Sequence, residues 1–340
     1  MLENHWYILG AGAIGSLFAC QFERANIRST LLVRSTDQAS QTHLKNTCKA
    51  IDLTFLDGSQ QHFSIQTQTS SQSSITSSTP SNELHSTLLI HQLILTTKAH
   101  QSQEAIDNIR SRLAEGAIIV VMQNGMGVAE QLQVQLPQCT VFVATTTEGA
   151  HRPTASSLIH AGAGETWIGN LPSNTPKDCD QEAITTQTVT AQHIAKQWQE
   201  SALSIHYDHN ITQRLWTKLA INCAINPLTV KYQCNNGALL ANPEALHLME
   251  KVCQELLHIM AAKNIVAPSD LFATVKQVAK NTHSNISSML QDHRNHKPTE
   301  IHFINGYVVN EGKALNIPTP VNQALALEIT NRAYRNHLGA

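Results

Sequence analysis

A chain of 340 residues with 41% hydrophobic residues is long enough for about two domains and rich enough to fill a sizeable core. Only 14% of its residues are charged, against roughly 25% in an average protein. The formal net charge is −2, which excludes the basic surface that nucleic acid or an anionic membrane would need. The seven cysteines are odd in number and form no CxxC pair, so reduced thiols are expected. The 18 histidines form neither an HExxH motif nor a tight ligand cluster, and no metal is expected. No basic leader and no apolar run approaching the ~20 residues of a membrane span are visible. The expectation is a soluble, cytoplasmic protein.

In chain order, Trp6 to Leu9 form a short β-prone run. Gly10, Ala11, Gly12, Ala13, Ile14 and Gly15 follow at once, and then a helical spacing from Ser16 to Glu23. This is GxGxxG between a strand and a helix, the context that dinucleotide binding requires. Gly10 permits the tight turn, Gly12 lets the backbone approach a pyrophosphate, and Gly15 lets the helix pack against the strand; the helix N-terminus then meets the phosphate charge. A second strand, Ile27 to Val33, ends at Arg34. An NAD-preferring site usually has an acidic residue there for the ribose hydroxyls. A guanidinium suits a 2′-phosphate instead, so the predicted cofactor is NADPH.

Leu53 to Ile65 reads as a hairpin around Asp57 and Gly58. Gln66 to Ser86, rich in Ser, Thr and Gln, is expected to be a mobile surface excursion or ordered only in part. Strands are predicted over 91–98, 117–123 and 141–147, and a helix over 102–113 follows the first of them. Lys98, Asn124 and Thr147 lie at strand carboxyl ends, where ligands bind in open α/β sheets. Further antiparallel strands are expected between Leu158 and Ile168, and a second low-hydrophobicity excursion over 171–190.

From about Asn210 the spacing becomes helical, over 210–226, 243–264, 269–282, 299–315 and 319–336. The predicted fold is α/β: a Rossmann-type dinucleotide-binding domain over 1–206, then a mostly α-helical substrate domain over 207–340. A cleft between such domains is a common place for a small-molecule site. The stretch Arg214 to Thr229 reads as a helix that is apolar almost all round, with one row broken by Lys218, Asn222 and Asn226, four apart and so on one face. Buried ammonium and carboxamide groups need polar partners. Either other protein groups supply them, or the row lines a cavity for a polar ligand.

The stretch Lys218 to Thr229, then Cys234 to Gly237, Asn285 to Asp292 and Thr299 to Tyr307 stand in order. With the glycine turn, Lys98, Gln123 to Gly125 and Thr145 to Thr147, they resemble the ketopantoate reductases (2-dehydropantoate 2-reductases) over nearly the whole chain. The resemblance implies NADPH-dependent reduction of 2-dehydropantoate to (R)-pantoate, toward pantothenate and coenzyme A. It implies Lys218 as catalytic proton donor, and Asn124, Asn222, Asn226, Asn236 and Ser288 as substrate-binding residues. It assigns the cofactor to Gly10 through Gly15, Arg34, Lys98, Asn124, Ala150 and Glu300. The implied partner is a small-molecule 2-oxo acid, with neither nucleic acid nor membrane, and a homodimer stays open. Two other readings remain: a reductase of the same family for another 2-oxo acid, and a non-catalytic NADPH-binding sensor.

Overall fold

Trp6, Tyr7, Ile8 and Leu9 are all buried in β1 (His5–Leu9), as a central parallel strand covered on both faces requires. The computed structural model describes residues 5–34, 46–70, 89–171 and 181–338. After β1 come α1 (Ala13–Arg24), β2 (Arg28–Val33), β3 (Asn46–Thr54), β4 (Gln60–Thr69), β5 (Ile90–Leu95), α2 (Ser102–Asp107), β6 (Leu113–Met122), α3 (Val128–Gln135) and β7 (Thr140–Thr146). Then follow β8 (Gly149–His151), β9 (Ser157–Gly162), β10 (Glu165–Asn170), α4 (Gln181–Trp198) and β11 (Ser204–Tyr207). The strands form one sheet in the order β11-β10-β7-β6-β5-β1-β2-β4-β3-β9-β8.

The central run from β7 through β6, β5, β1 and β2 to β4 is parallel, which makes this half Rossmann-type. Antiparallel neighbours flank it, with β10 on β7, β3 on β4 and β8 on β9. One side of the core is an aromatic cluster. Trp198 lies 5.0 Å from Trp6 and 5.7 Å from Phe18, ring to ring. The Trp6 indole N–H donates to the buried Gln197 side chain at 3.1 Å, which satisfies a polar tip inside the core.

The second half is helical: α5 (Ile211–Tyr232), α6 (Pro243–Ala262), α7 (Leu271–Asn281), α8 (Ser288–Arg294), α9 (Asn305–Leu315) and α10 (Pro320–Leu338). Its core is separate, built on Trp216, Leu219, Met249, Leu256, Ile259, Leu290 and Val308 among others. The chain divides into two compact units, Met1–Gln123 with Val128–Ile211 and Asn124–Gly127 with Thr212–Ala340.

Several expectations need correction. The predicted excursion from Gln66 begins instead as the end of β4, through Thr69. Its polar side chains are paired: the Thr47 and Thr67 hydroxyls lie 2.7 Å apart, and Arg112 donates to Gln68. The remainder, 71–86, lies outside the described residues. Likewise α4 covers 181–190 of the second excursion, and 172–180 lies outside the described residues. The helix predicted over 102–113 ends at Asp107, with a short turn over Arg110–Arg112 before β6 begins at Leu113. The strands β9 and β10 each pair antiparallel, with β8 and β7 in turn, and β9 also runs parallel to β3. The helix predicted to end at 226 continues through Pro227 to Tyr232. Among the described residues no helix is long and apolar enough to cross a membrane.

Candidate active site

The candidate residues fall into two sets, one in each unit. In the first unit the glycine turn joins β1 to α1. Gly10 has φ +127°, a conformation that favours glycine. A Cβ there would lie 2.6 Å from the Thr97 backbone nitrogen. A Cβ on Gly15 would collide with the Gly10 carbonyl oxygen, while one on Gly12 would meet nothing within 4 Å. Two glycines are therefore needed for packing and the third keeps the face of the turn open. The α1 helix begins at Ala13, capped by Gly12 with no side-chain hydrogen bond. Its first N–H groups have no intrahelical acceptor, and they suit an anionic phosphate. Ala11, Ala13 and Ile14 pack partly against the core.

The other first-unit residues surround this turn by sheet register. Leu9 pairs with Leu32 on one side and Leu95 on the other. The β2 end carrying Arg34 and the β5 end leading to Lys98 thus flank the turn. The Thr96 hydroxyl donates to the Gly10 carbonyl at 2.9 Å. Half-buried Lys98 precedes a short 3-10 turn, Ala99–Gln101. Exposed Arg34 meets the Glu104 carboxylate at 3.5 Å. Ala150, on β8, packs partly against the same core as Ala11. Thr147 closes on β10 through its N–H to the Glu165 carbonyl at 2.9 Å.

Sequence reasoning missed Arg152. Its guanidinium donates to the Ala11 carbonyl at 2.6 Å and to the Ala155 carbonyl, bracing the turn from 141 residues away in sequence. No local motif signals that contact.

In the second unit Lys218, Asn222 and Asn226 lie on α5, as the spacing predicts. Lys218 is half-buried. Burial lowers its ammonium pKa from 10.5 to about 8, while the Glu300 carboxylate pulls it back up. Glu300 is itself buried. Among the described residues, no protein group hydrogen-bonds to the side-chain amides of Asn222 and Asn226. Asn226 is buried and Asn222 half-buried, and neither amide is among the buried side-chain atoms that lack a hydrogen-bond partner, so both amides are open to solvent or to a polar ligand.

The remaining second-unit residues lie on other segments of this unit, one of which is hydrogen-bonded to this helix. The Thr229 and Ser287 hydroxyls are 2.6 Å apart. Ser287 caps α8 by accepting from the Leu290 N–H at 3.1 Å, and exposed Ser288 is the first residue of that helix. The Asn236 N–H donates to the Asn285 carbonyl at 3.0 Å, and its side-chain nitrogen to the Thr282 hydroxyl at 2.9 Å. Its amide oxygen is buried with no hydrogen-bond partner. Glu300 stands before the 3-10 turn Ile301–Phe303. The Phe303 carbonyl accepts the Met126 N–H at 2.9 Å, which ties the segment carrying Asn124 to this unit. Gly125, at φ +84°, could not carry a Cβ without striking that same carbonyl.

A cation of lowered pKa, flanked by amides and hydroxyls, can hold an oxyanion and deliver a proton. Comparisons with known proteins match two segments, the first covering the first-unit set together with Asn124 and the second covering the rest of the second-unit set. The family described as ketopantoate reductase PanE/ApbA matches residues 6–173, and its C-terminal counterpart matches residues 210–332. The 2-dehydropantoate 2-reductase of Vibrio cholerae is 33% identical over 95% of this chain and 95% of its own. Among solved structures, a PanE/ApbA family ketopantoate reductase from Ralstonia eutropha JMP134 superposes with a TM-score of 0.78 at 22% identity, covering 98% of this chain and 99% of the other. D-mandelate dehydrogenase, solved with NADH and anilino(oxo)acetate, reaches 0.78 at 19% identity, covering 97% and 99%. Sequence and fold together place the chain in the ketopantoate reductase PanE/ApbA family of oxidoreductases.

Proposed function

We propose that this chain reduces 2-dehydropantoate to (R)-pantoate with NADPH, a step toward pantothenate and coenzyme A. The observation that carries this reading is the α5 face. Lys218 is tuned to about pH 8 beside Glu300, and it stands in line with Asn222 and Asn226, whose amides no described protein group engages. Family membership and the named activity of the Vibrio cholerae relative support the substrate.

The glycine turn fits a dinucleotide: its open face at Gly12 and the α1 N-terminus offer space and N–H groups to the pyrophosphate. Arg34 offers its guanidinium to the 2′-phosphate, while Lys98, Ala150, Asn124 and Glu300 complete the cofactor contacts. When bound, a reduced nicotinamide supplies a hydride to the C2 ketone. As that carbon accepts the electron pair, negative charge gathers on the ketone oxygen. The Lys218 ammonium stabilises the charge and transfers one proton to the oxygen, leaving a neutral amine that solvent reprotonates. Asn222 and Asn226 hold the carboxylate and hydroxyl of the substrate, with Asn236, Ser288 and Asn124 supplying further donors and acceptors. Glu300 keeps enough charge on Lys218 for it to act as an acid.

The fold alone selects neither acid nor cofactor, since D-mandelate dehydrogenase shares it and was solved with NADH. The test is therefore turnover of 2-dehydropantoate and a panel of 2-oxo acids with NADPH and with NADH. Preferred use of 2-dehydropantoate with NADPH supports the proposal. Preference for another acid would assign a sister activity, and tight NADPH binding without turnover of any ketone would favour a sensor.

A further inference from the structure

We propose that Asn305, backed by Asn322 and Glu255, is a positioning device that fixes the segment carrying the Lys218–Asn222–Asn226 face against the rest of α5, at the proline that follows that face. This rests on the reading of that face given above. The helix runs from Ile211 to Tyr232 with Pro227 in its interior. Proline has no N–H, so the carbonyl four residues earlier loses its helical donor. That carbonyl belongs to Cys223. Asn305 fills the gap: fully buried, it donates from Nδ2 to the Cys223 oxygen at 3.1 Å.

The amide cannot turn round, because a one-way chain of hydrogen bonds fixes it. The buried Glu255 carboxylate only accepts. It takes the Val321 N–H at 2.7 Å, the Asn322 N–H at 3.0 Å and the Asn322 Nδ2 at 2.7 Å, all on the first turn of α10. Asn322, also fully buried, must then present its oxygen to Asn305, whose Nδ2 donates to it at 2.9 Å. The second N–H of that Nδ2 is left for Cys223. The price is visible at Asn305 Oδ1, which is buried with no hydrogen-bond partner. The site keeps the donor end at the cost of the acceptor end, as it must if the freed carbonyl is what is served.

On the other side of the proline, the Thr229 hydroxyl donates to the Asn226 carbonyl at 2.7 Å. Side-chain donors thus hold the backbone beside both substrate amides: Asn222 is one residue before the anchored carbonyl, and Asn226 is one before the proline. Lys218, Asn222 and Asn226 all precede Pro227, so without these donors the segment that carries the face would be free to tilt against the last turns of α5, where Thr229 meets Ser287 beside Ser288.

The experiment is a double-mutant cycle of Asn305→Ala and Pro227→Ala, read by thermal unfolding, by kcat and KM for the 2-oxo acid, and by the cofactor Kd. Asn305→Ala should lower kcat/KM by on the order of 10²-fold, as small misplacements of catalytic groups do, and leave the cofactor Kd unchanged. Pro227→Ala restores an N–H to the Cys223 carbonyl, so the Tm loss of the double variant should be smaller than the sum of the single losses. A lowered Tm with kcat and KM unchanged would reduce Asn305 to a structural staple and overturn the proposal; additive Tm losses would show that Cys223 is not its partner. Should Asn305→Ala fail to fold, the double variant is still expected to fold, and its failure would count against the idea. If the native chain reduces no 2-oxo acid at all, the functional reading falls, while the Tm cycle still reports on the carbonyl bond.

Discussion

Lys218 is the residue on which most depends, and its environment sets opposing demands. Burial favours the neutral amine, whereas the acid role needs the ammonium. With the pKa lowered to about 8, the proton donor is present below that pH and lost above it. The kcat/KM for ketone reduction should therefore fall as pH rises through about 8, and the reverse oxidation should rise over the same range. Glu300→Gln removes the charge that pulls this pKa upward, so its profile should fall at lower pH; an unchanged midpoint would show that Glu300 does not tune Lys218. Lys218→Ala should cost on the order of 10²–10⁴ in turnover with NADPH affinity kept, as measured by steady-state kinetics and direct titration. At the other set, Arg34 shares its charge with Glu104 across 3.5 Å in an exposed pair. Arg34→Asp should weaken NADPH and relatively favour NADH, and Glu104→Gln should strengthen NADPH binding. Unchanged cofactor preference in both variants would remove Arg34 from that role.

Elements differed in how openly their sequences declared them. The glycine turn was legible because Gly10, Gly12 and Gly15 answer local constraints at fixed spacing. The polar row of α5 was legible because Lys218, Asn222 and Asn226 recur at every fourth place in its mostly apolar middle. The start of α4 was not. Its Gln- and Thr-rich first turns look like a loop, and its burial falls on Ala191, Ile194, Ala195 and Trp198 near its far end. The end of β4 was hidden for a similar reason, since Thr67 and Gln68 are buried polar residues whose partners, Thr47 and Arg112, are distant in sequence. Pro227 looked like a stop, because nothing local announces that Asn305 supplies the missing donor. The loop after β6 gives an element-scale prediction. Gly125 combines φ +84° with a close approach to Phe303, so Gly125→Ala should lower stability by about 1–3 kcal/mol, read by urea unfolding. It should also raise the KM for the 2-oxo acid by displacing Asn124. An alanine tolerated without either effect would show that the loop does not depend on this conformation.

For the molecule as a whole, the assigned cofactor contacts divide unevenly. The glycine turn, Arg34, Lys98 and Ala150 belong to the first unit, and Asn124, Glu300 and the proposed proton donor Lys218 to the second. NADPH at 100 times its Kd should stabilise the chain by about 2.7 kcal/mol, seen as a Tm increase in calorimetry. Lys218→Ala should keep that increase and Arg34→Asp should lose most of it; the opposite pattern would reverse the assignment of the two sets. The division is also not a single cut. Asn124–Gly127 belongs with the second unit although both of its flanks belong to the first, so the chain changes unit three times. For anyone recombining relatives of this enzyme, a crossover near residue 210, where the C-terminal family match begins, would graft a foreign tetrapeptide onto the helical half. A faithful transplant of specificity has to carry those four residues with it, as a second, separate exchange.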